Sequence, residues 1–173
     1  MKLGVLSVLA VLMVVAACAP QTAQQQAQPA PATVQPTAAL AQTSESIIVP
    51  AGSREWKAAP ASLPSGAYIM VLEGNLSKAE PFTFRLKVPV GYVIAPHTHP
   101  AVEHVTILSG ALRFGAGETI DKDATVLAEG SFAAFPTGHA MYATALEDSV
   151  FQVYGVGPWG ITYVNPADDP RKK

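Results

Sequence analysis

Cysteine is nearly absent. The 173-residue chain holds one, Cys18, so no disulfide can close within it and a bridged framework is excluded. Charge is scarce as well: 14% of residues are charged, and 11 basic against 13 acidic residues leave a formal net charge of -2. That near balance, with no basic patch along the chain, excludes the electrostatic footprint of a nucleic-acid binder. Beyond the N-terminal segment no window carries a helical hydrophobic period. Nor is there a nucleophile triad, a phosphate-cradling loop or a paired-carboxylate motif. What is plentiful is punctuation, since 13 Gly and 15 Pro mark turns and short strands rather than long helices.

The N-terminus reads as an export signal. Lys2 supplies a positive start, and Leu3 to Val15 form an apolar run too short for a membrane span. The run ends in "VVAAC", Val14 to Cys18, which resembles the lipobox of bacterial lipoproteins. The resemblance implies a signal peptide over 1–17, acylation of Cys18, and a mature protein held by lipid on the periplasmic side of a bacterial membrane. Ala19 is not the aspartate of inner-membrane retention, which favours the outer membrane. An ordinary cleavable signal ending near Ala17 or Ala19 is the other reading of the same residues.

From residue 18 to residue 46 the chain is rich in Gln, Ala and Pro, with no aromatic residue and no charge before Glu45. Such a segment cannot bury enough apolar surface to offset its ordering entropy, and the expectation is a disordered linker. Random-coil scaling gives it a reach of about 30 Å. Residues 47–173 are the expected folded domain. There "AYIMVLEG", "FTFRLKV", "VEHVTILSG", "ALRFGAG", "ATVLAEG", "SFAAFPTG", "HAMYATA" and "SVFQVYGVG" are short, branched or aromatic runs cut by turn residues. Turn signals every ~8–12 residues predict an all-β sandwich or barrel.

The chemistry concentrates in "GYVIAPHTHPAVEHVTILSG", Gly91 to Gly110. Residues two apart on a strand share a face, so His97 and His99 point the same way, and Glu103 keeps their parity across the Pro100 turn. His104 then faces the opposite way. Two imidazoles and a carboxylate suit a mononuclear divalent transition metal, Fe, Mn, Zn, Ni or Cu, and match the ligand type of non-haem iron oxygenases. Arg85 and Lys87 sit on the polar face of their strand. Tyr92, Phe135 and Tyr142 read as core or pocket wall, and Trp159 as packing at the barrel end.

Gly91, His97, His99, Glu103 and Gly110 stand at every spacing of the first motif of the cupin superfamily, which this chain resembles. Gly130, Pro136 and Gly138 match the second motif. The resemblance implies a single jelly-roll β-barrel of six to eight strands with the ligands inside its mouth. It also implies a fourth ligand, a histidine, at the position that Met141 occupies here, while the motif's final Asn position is Ala145. Two readings follow: His139 takes over ligation from further up the strand, or the site is His97, His99 and Glu103 with the Met141 thioether nearby. A thioether is soft and favours Cu(I).

Cupins host many functions, so three expectations stand together. One is a metal-dependent dioxygenase or isomerase acting on a small molecule, with Glu103 as ligand or catalytic base. Another is a non-catalytic periplasmic binder of a small molecule or metal that has lost full metal ligation. The third, compatible with both, is a homodimer.

Overall fold

The computed structural model describes residues 45–173. The expected signal segment 1–17, Cys18 and the linker as far as residue 44 lie outside them. Described are β1 (Lys57–Ala58), β2 (Tyr68–Glu73), β3 (Pro81–Val88), β4 (Val93–Thr98), β5 (Glu103–Ser109) and β6 (Ala111–Ala116). They continue as β7 (Val126–Ala128), β8 (Phe132–Phe135), β9 (Met141–Ala145), β10 (Ser149–Val156) and β11 (Thr162–Tyr163). Two short 3-10 turns, Pro166–Asp168 and Pro170–Lys172, follow. Among the described residues no helix is long and apolar enough to cross a membrane.

Period-two alternation sorts each strand into an inner and an outer row. In β3, Phe82, Phe84, Leu86 and Val88 are buried, while Lys87 between the last two is exposed. β5 turns Glu103, Val105 and Ile107 inward, and β10 turns Ser149, Phe151 and Val153 inward. β3, β10 and β5 are neighbours in one antiparallel sheet, ordered β1-β2-β3-β10-β5-β8, and their inner rows pack with those of the second, ordered β11-β4-β9-β6-β7. Burying each large apolar side chain between them contributes about 1.5–3 kcal/mol. The all-β jelly roll expected from the motifs is therefore present. The eleven strands among the described residues exceed the expected six to eight because β1 and β11, two residues each, and the three-residue β7 are short edge pairings.

The motif glycines have a backbone reason. Gly91, Gly110, Gly130 and Gly138 all adopt positive φ, between 74° and 82°. At Gly110, in the β5–β6 turn, a Cβ would also run into the Asp148 carbonyl and Ser149, so only glycine fits. One end of the barrel is closed by the loop before β2. Leu63 inserts from it into the core, held on either side by the Tyr163 hydroxyl donating to the Ser62 carbonyl (2.8 Å) and the Tyr92 hydroxyl donating to the Pro64 carbonyl (2.6 Å).

Candidate metal centre

Whether His97 and His99 face the core depends on an irregularity in β4. Ile94 pairs with Ala143 and His97 with Met141, so three steps on β4 oppose two on β9. Strict alternation from the buried Ile94 would turn Pro96 and Thr98 inward and both histidines outward. The extra residue at Ala95–Pro96 reverses the parity beyond it. Proline, which has no N–H to donate to a ladder, is at home in such a bulge. His97 and His99 are consequently 2% and 5% exposed, and Glu103, first residue of β5, is 5% exposed.

The imidazoles are held from behind. Nδ1 of His97 lies 2.7 Å from the Ala95 carbonyl, and Nδ1 of His99 lies 2.7 Å from the Gly160 carbonyl. A carbonyl only accepts, so each Nδ1 carries the hydrogen. Burial pushes the pKa of both rings down to about 4, and for His97 the neighbouring His99 lowers it further. At neutral pH both are therefore neutral, with bare Nε2 lone pairs. Those two Nε2 atoms stand 3.0 Å apart.

Glu103 completes the group. Its Oε2 lies 3.3 Å from His99 Nε2 and accepts from the Trp159 indole Nε1–H at 2.8 Å. Burial raises its pKa to about 7, with the Trp159 hydrogen bond opposing that rise. Since His99 is neutral where Glu103 ionises, the His99–Glu103 contact is not an ion pair at neutral pH. Below about pH 7 the protonated carboxyl can donate to His99 Nε2. Among the described residues no set of three or more His, Cys, Asp or Glu forms a ready-made metal cage. The contacts instead run in series, His97 to His99 to Glu103, with Trp159 on the carboxylate.

The three side chains border a cavity of about 10 Å³, roughly the space of one water. Its other walls are apolar, among them Leu63, Ile94, Phe114, Met141 and Phe151, and no Lys or Arg lines it. Met141 is fully buried there, cross-strand neighbour to His97 on β9. His139 is not brought to the site. It is exposed in the turn before β9, where its backbone N–H bonds the Pro136 carbonyl, and it borders no part of the cavity. The positive-φ turn at Gly138 delays the entry into β9 until after His139, so the barrel-facing position falls to Met141.

Other sequence expectations sort cleanly. His104 faces outward, stacked between Tyr154 (5.0 Å) and Phe132 (6.0 Å). Arg85 Nε donates to Gln152 on the outer face of the sheet. Tyr92 and Tyr142 are core residues, with the Tyr142 hydroxyl accepting from the Asp121 N–H. Trp159 does pack at the barrel end, edge-on to Phe84 at 5.0 Å, but its bond to Glu103 is a role that sequence reasoning missed. No local pattern could signal it, because the partners lie 56 residues apart.

No protein-family model matches the chain, and no curated protein matches it. Solved structures do. An acetylacetone dioxygenase from Acinetobacter johnsonii superposes with a TM-score of 0.57 at 15% identity, over 74% of this chain and 83% of that one. An RmlC-like cupin protein from Ralstonia eutropha gives 0.55 at 16% identity, over 70% and 74%. An RmlC-like cupin from Shewanella frigidimarina gives 0.52 at 13% identity, over 65% and 93%. At these identities the likeness is one of fold, and the fold is the cupin jelly roll.

Proposed function

We propose that this chain is an exported, lipid-anchored cupin-fold protein that holds one divalent transition-metal ion through His97, His99 and Glu103. The observation that carries the reading is the pair of unprotonated Nε2 atoms facing each other at 3.0 Å. Two filled lone pairs repel at that distance unless a cation or proton lies between them, and burial disfavours the proton. A ring nitrogen freed for a metal while its other nitrogen donates to a backbone carbonyl is how ligating histidines are oriented. Bonds of about 2.1 Å place neighbouring ligand atoms about 3.0–3.4 Å apart for right-angle to tetrahedral geometry. The 3.0 and 3.3 Å separations here fall in that range. When bound, such an ion supplies a Lewis-acidic centre with positions left for a small ligand.

The chain's own residues do the rest. His97 and His99 offer neutral donors already turned toward each other, Glu103 offers the anionic oxygen, and the apolar walls exclude bulk water. With His139 outside, Met141 occupies the fourth position of the implied ligand set. A metal-dependent dioxygenase on a small neutral molecule is the enzymatic form of the reading. The dioxygenase among the fold neighbours and a wall without cationic side chains support it. The second reading, a metal holder without turnover, is favoured by the cavity of about 10 Å³, which takes a water-sized guest and no organic substrate.

Elemental analysis of the full chain, purified without added metal and again after reconstitution, tests the shared core of both. About one equivalent of a transition metal is expected; less than about a tenth, before and after reconstitution, refutes it. Oxygen uptake by the metal-loaded protein with acetylacetone as probe then separates the two. Turnover favours the dioxygenase, and none favours the holder.

A further inference from the structure

The segment between β10 and β11 touches two of the three candidate ligands at once. Gly157 N–H donates to the Glu80 carbonyl at 2.9 Å and Trp159 N–H donates to the Leu76 carbonyl at 2.7 Å, which pins the segment to the loop before β3. From that anchored position the Trp159 indole N–H reaches Glu103 Oε2 at 2.8 Å, while its ring lies over the His99 imidazole, centroids 5.9 Å apart and planes 28° apart. The next residue, Gly160, supplies the carbonyl that orients His99 Nδ1. Phe84 meets the indole edge-on at 5.0 Å. Besides its stacking on His99, the indole is held by backbone bonds to Glu80 and Leu76 and by Phe84, none of which involves the ligands, so it can act on them rather than merely follow them.

We infer that Trp159 is a positioning residue for the metal centre, setting the orientation of the Glu103 carboxylate. The inference rests on the metal reading proposed above. A free carboxylate offers two oxygens and about four lone-pair sites, and it turns about its terminal bond to suit any partner. A hydrogen bond from a fixed indole occupies one site on Oε2 and stops that rotation. Glu103 then presents a single preset face toward His99 and the cavity instead of a mobile, symmetric chelate. A purely structural indole would need only some buried acceptor for its N–H and would leave the metal indifferent to its loss.

The test titrates Co²⁺ into the full chain in detergent and records both affinity and the visible absorption of the bound ion, which reports coordination geometry. Trp159→Phe removes the N–H with part of the ring. A second variant keeps the shape: in a Trp56→Phe background, benzothienylalanine at position 159 exchanges only the N–H for sulfur. Both are expected to raise the Co²⁺ dissociation constant at least about ten-fold, the usual cost of losing an outer-shell partner, and to alter the visible bands. Trp56→Phe alone leaves both unchanged. A smaller change or a tightening, with superimposable spectra, overturns the positioning role while the metal reading stands. If the unmodified protein takes up no Co²⁺, Zn²⁺, Mn²⁺ or Fe²⁺, the metal reading falls and this inference falls with it. Should Trp159→Phe not fold, the isosteric variant decides.

Discussion

Glu103→Gln is expected to gain stability relative to the metal-free wild type as the pH rises. The wild-type carboxyl titrates at about 7 in the fold against an ordinary 4.5, chiefly because it is buried. Below 4.5 it is protonated in both folded and unfolded chains and costs nothing. As pH rises toward 7 the unfolded chain ionises first, so the stability of the folded state falls, and the loss is complete above the folded pKa. At about 1.4 kcal/mol per pH unit the full loss is about 3 kcal/mol, an upper bound because the surroundings of a buried carboxylate relax when it ionises. Glutamine cannot ionise. In the wild type a single oxygen, Oε2, meets both the Trp159 N–H and His99 Nε2, so the amide keeps only one of the two contacts, a cost common to pH 5 and pH 8 that drops out of the comparison between them. The assay is urea unfolding of chelator-treated wild type and variant at pH 5 and pH 8. The variant should gain up to about 2.5 kcal/mol on the wild type between the two, because the unfolded carboxyl is already mostly ionised at pH 5, and since both carry His97 and His99, the imidazole contributions cancel. Excess Zn²⁺ at pH 8 should then reverse the order, stabilising the wild type through the ionised carboxylate and the variant far less. An equal difference between the proteins at pH 5 and pH 8 would refute the buried, proton-holding Glu103 on which the site's electrostatics rest.

Acid should weaken the metal-free protein through the imidazoles. With folded pKa values near 4 against an ordinary 6.5, His97 and His99 contribute stability that is present above 6.5 and lost as pH falls toward 4. In the His97→Ala/His99→Ala double variant this acid loss should disappear and leave the opposite trend of Glu103, with urea midpoints rising as pH falls through that window, and the thermal shift caused by Zn²⁺ should vanish. Met141→His, at the buried cross-strand neighbour of His97, should raise metal retention through dialysis. Unchanged or lower retention would mean that the fourth position takes no part in binding. Cys18→Ser should move the protein from the membrane to the soluble fraction and abolish palmitate incorporation; persistence in the membrane would count against lipid anchoring at Cys18.

Much of the molecule is legible without coordinates, and the reasons are local. Alternation in "FTFRLKV" dictates which face of β3 is buried because a strand's side chains have a period of two. Gly91 and Gly110 mark the turns bounding the histidine segment because their backbones need positive φ. The relation of His97 to His99 is local too, since residues two apart in an extended segment share a face. His139 is where local reasoning fails. Parity places it on the same strand face as Met141, but β9 begins only at Met141, and parity has no meaning in the turn before it.

Which way His97 and His99 point is another matter. Counted from Ile94 by alternation they would face solvent, and the bulge at Ala95–Pro96, visible only in the pairing of β4 with β9, turns them into the barrel. Their tautomers follow from carbonyls at Ala95 and Gly160, the latter 61 residues away along the chain. Glu103 shares its cavity with Phe151 and Val153 and bonds Trp159, side chains from the far end of the sequence. Spacing names three residues able to share an ion. Their common inward face, the bare nitrogens and the indole on the carboxylate arise only when distant strands close around them, because burial and hydrogen-bond partners are properties of the packed chain.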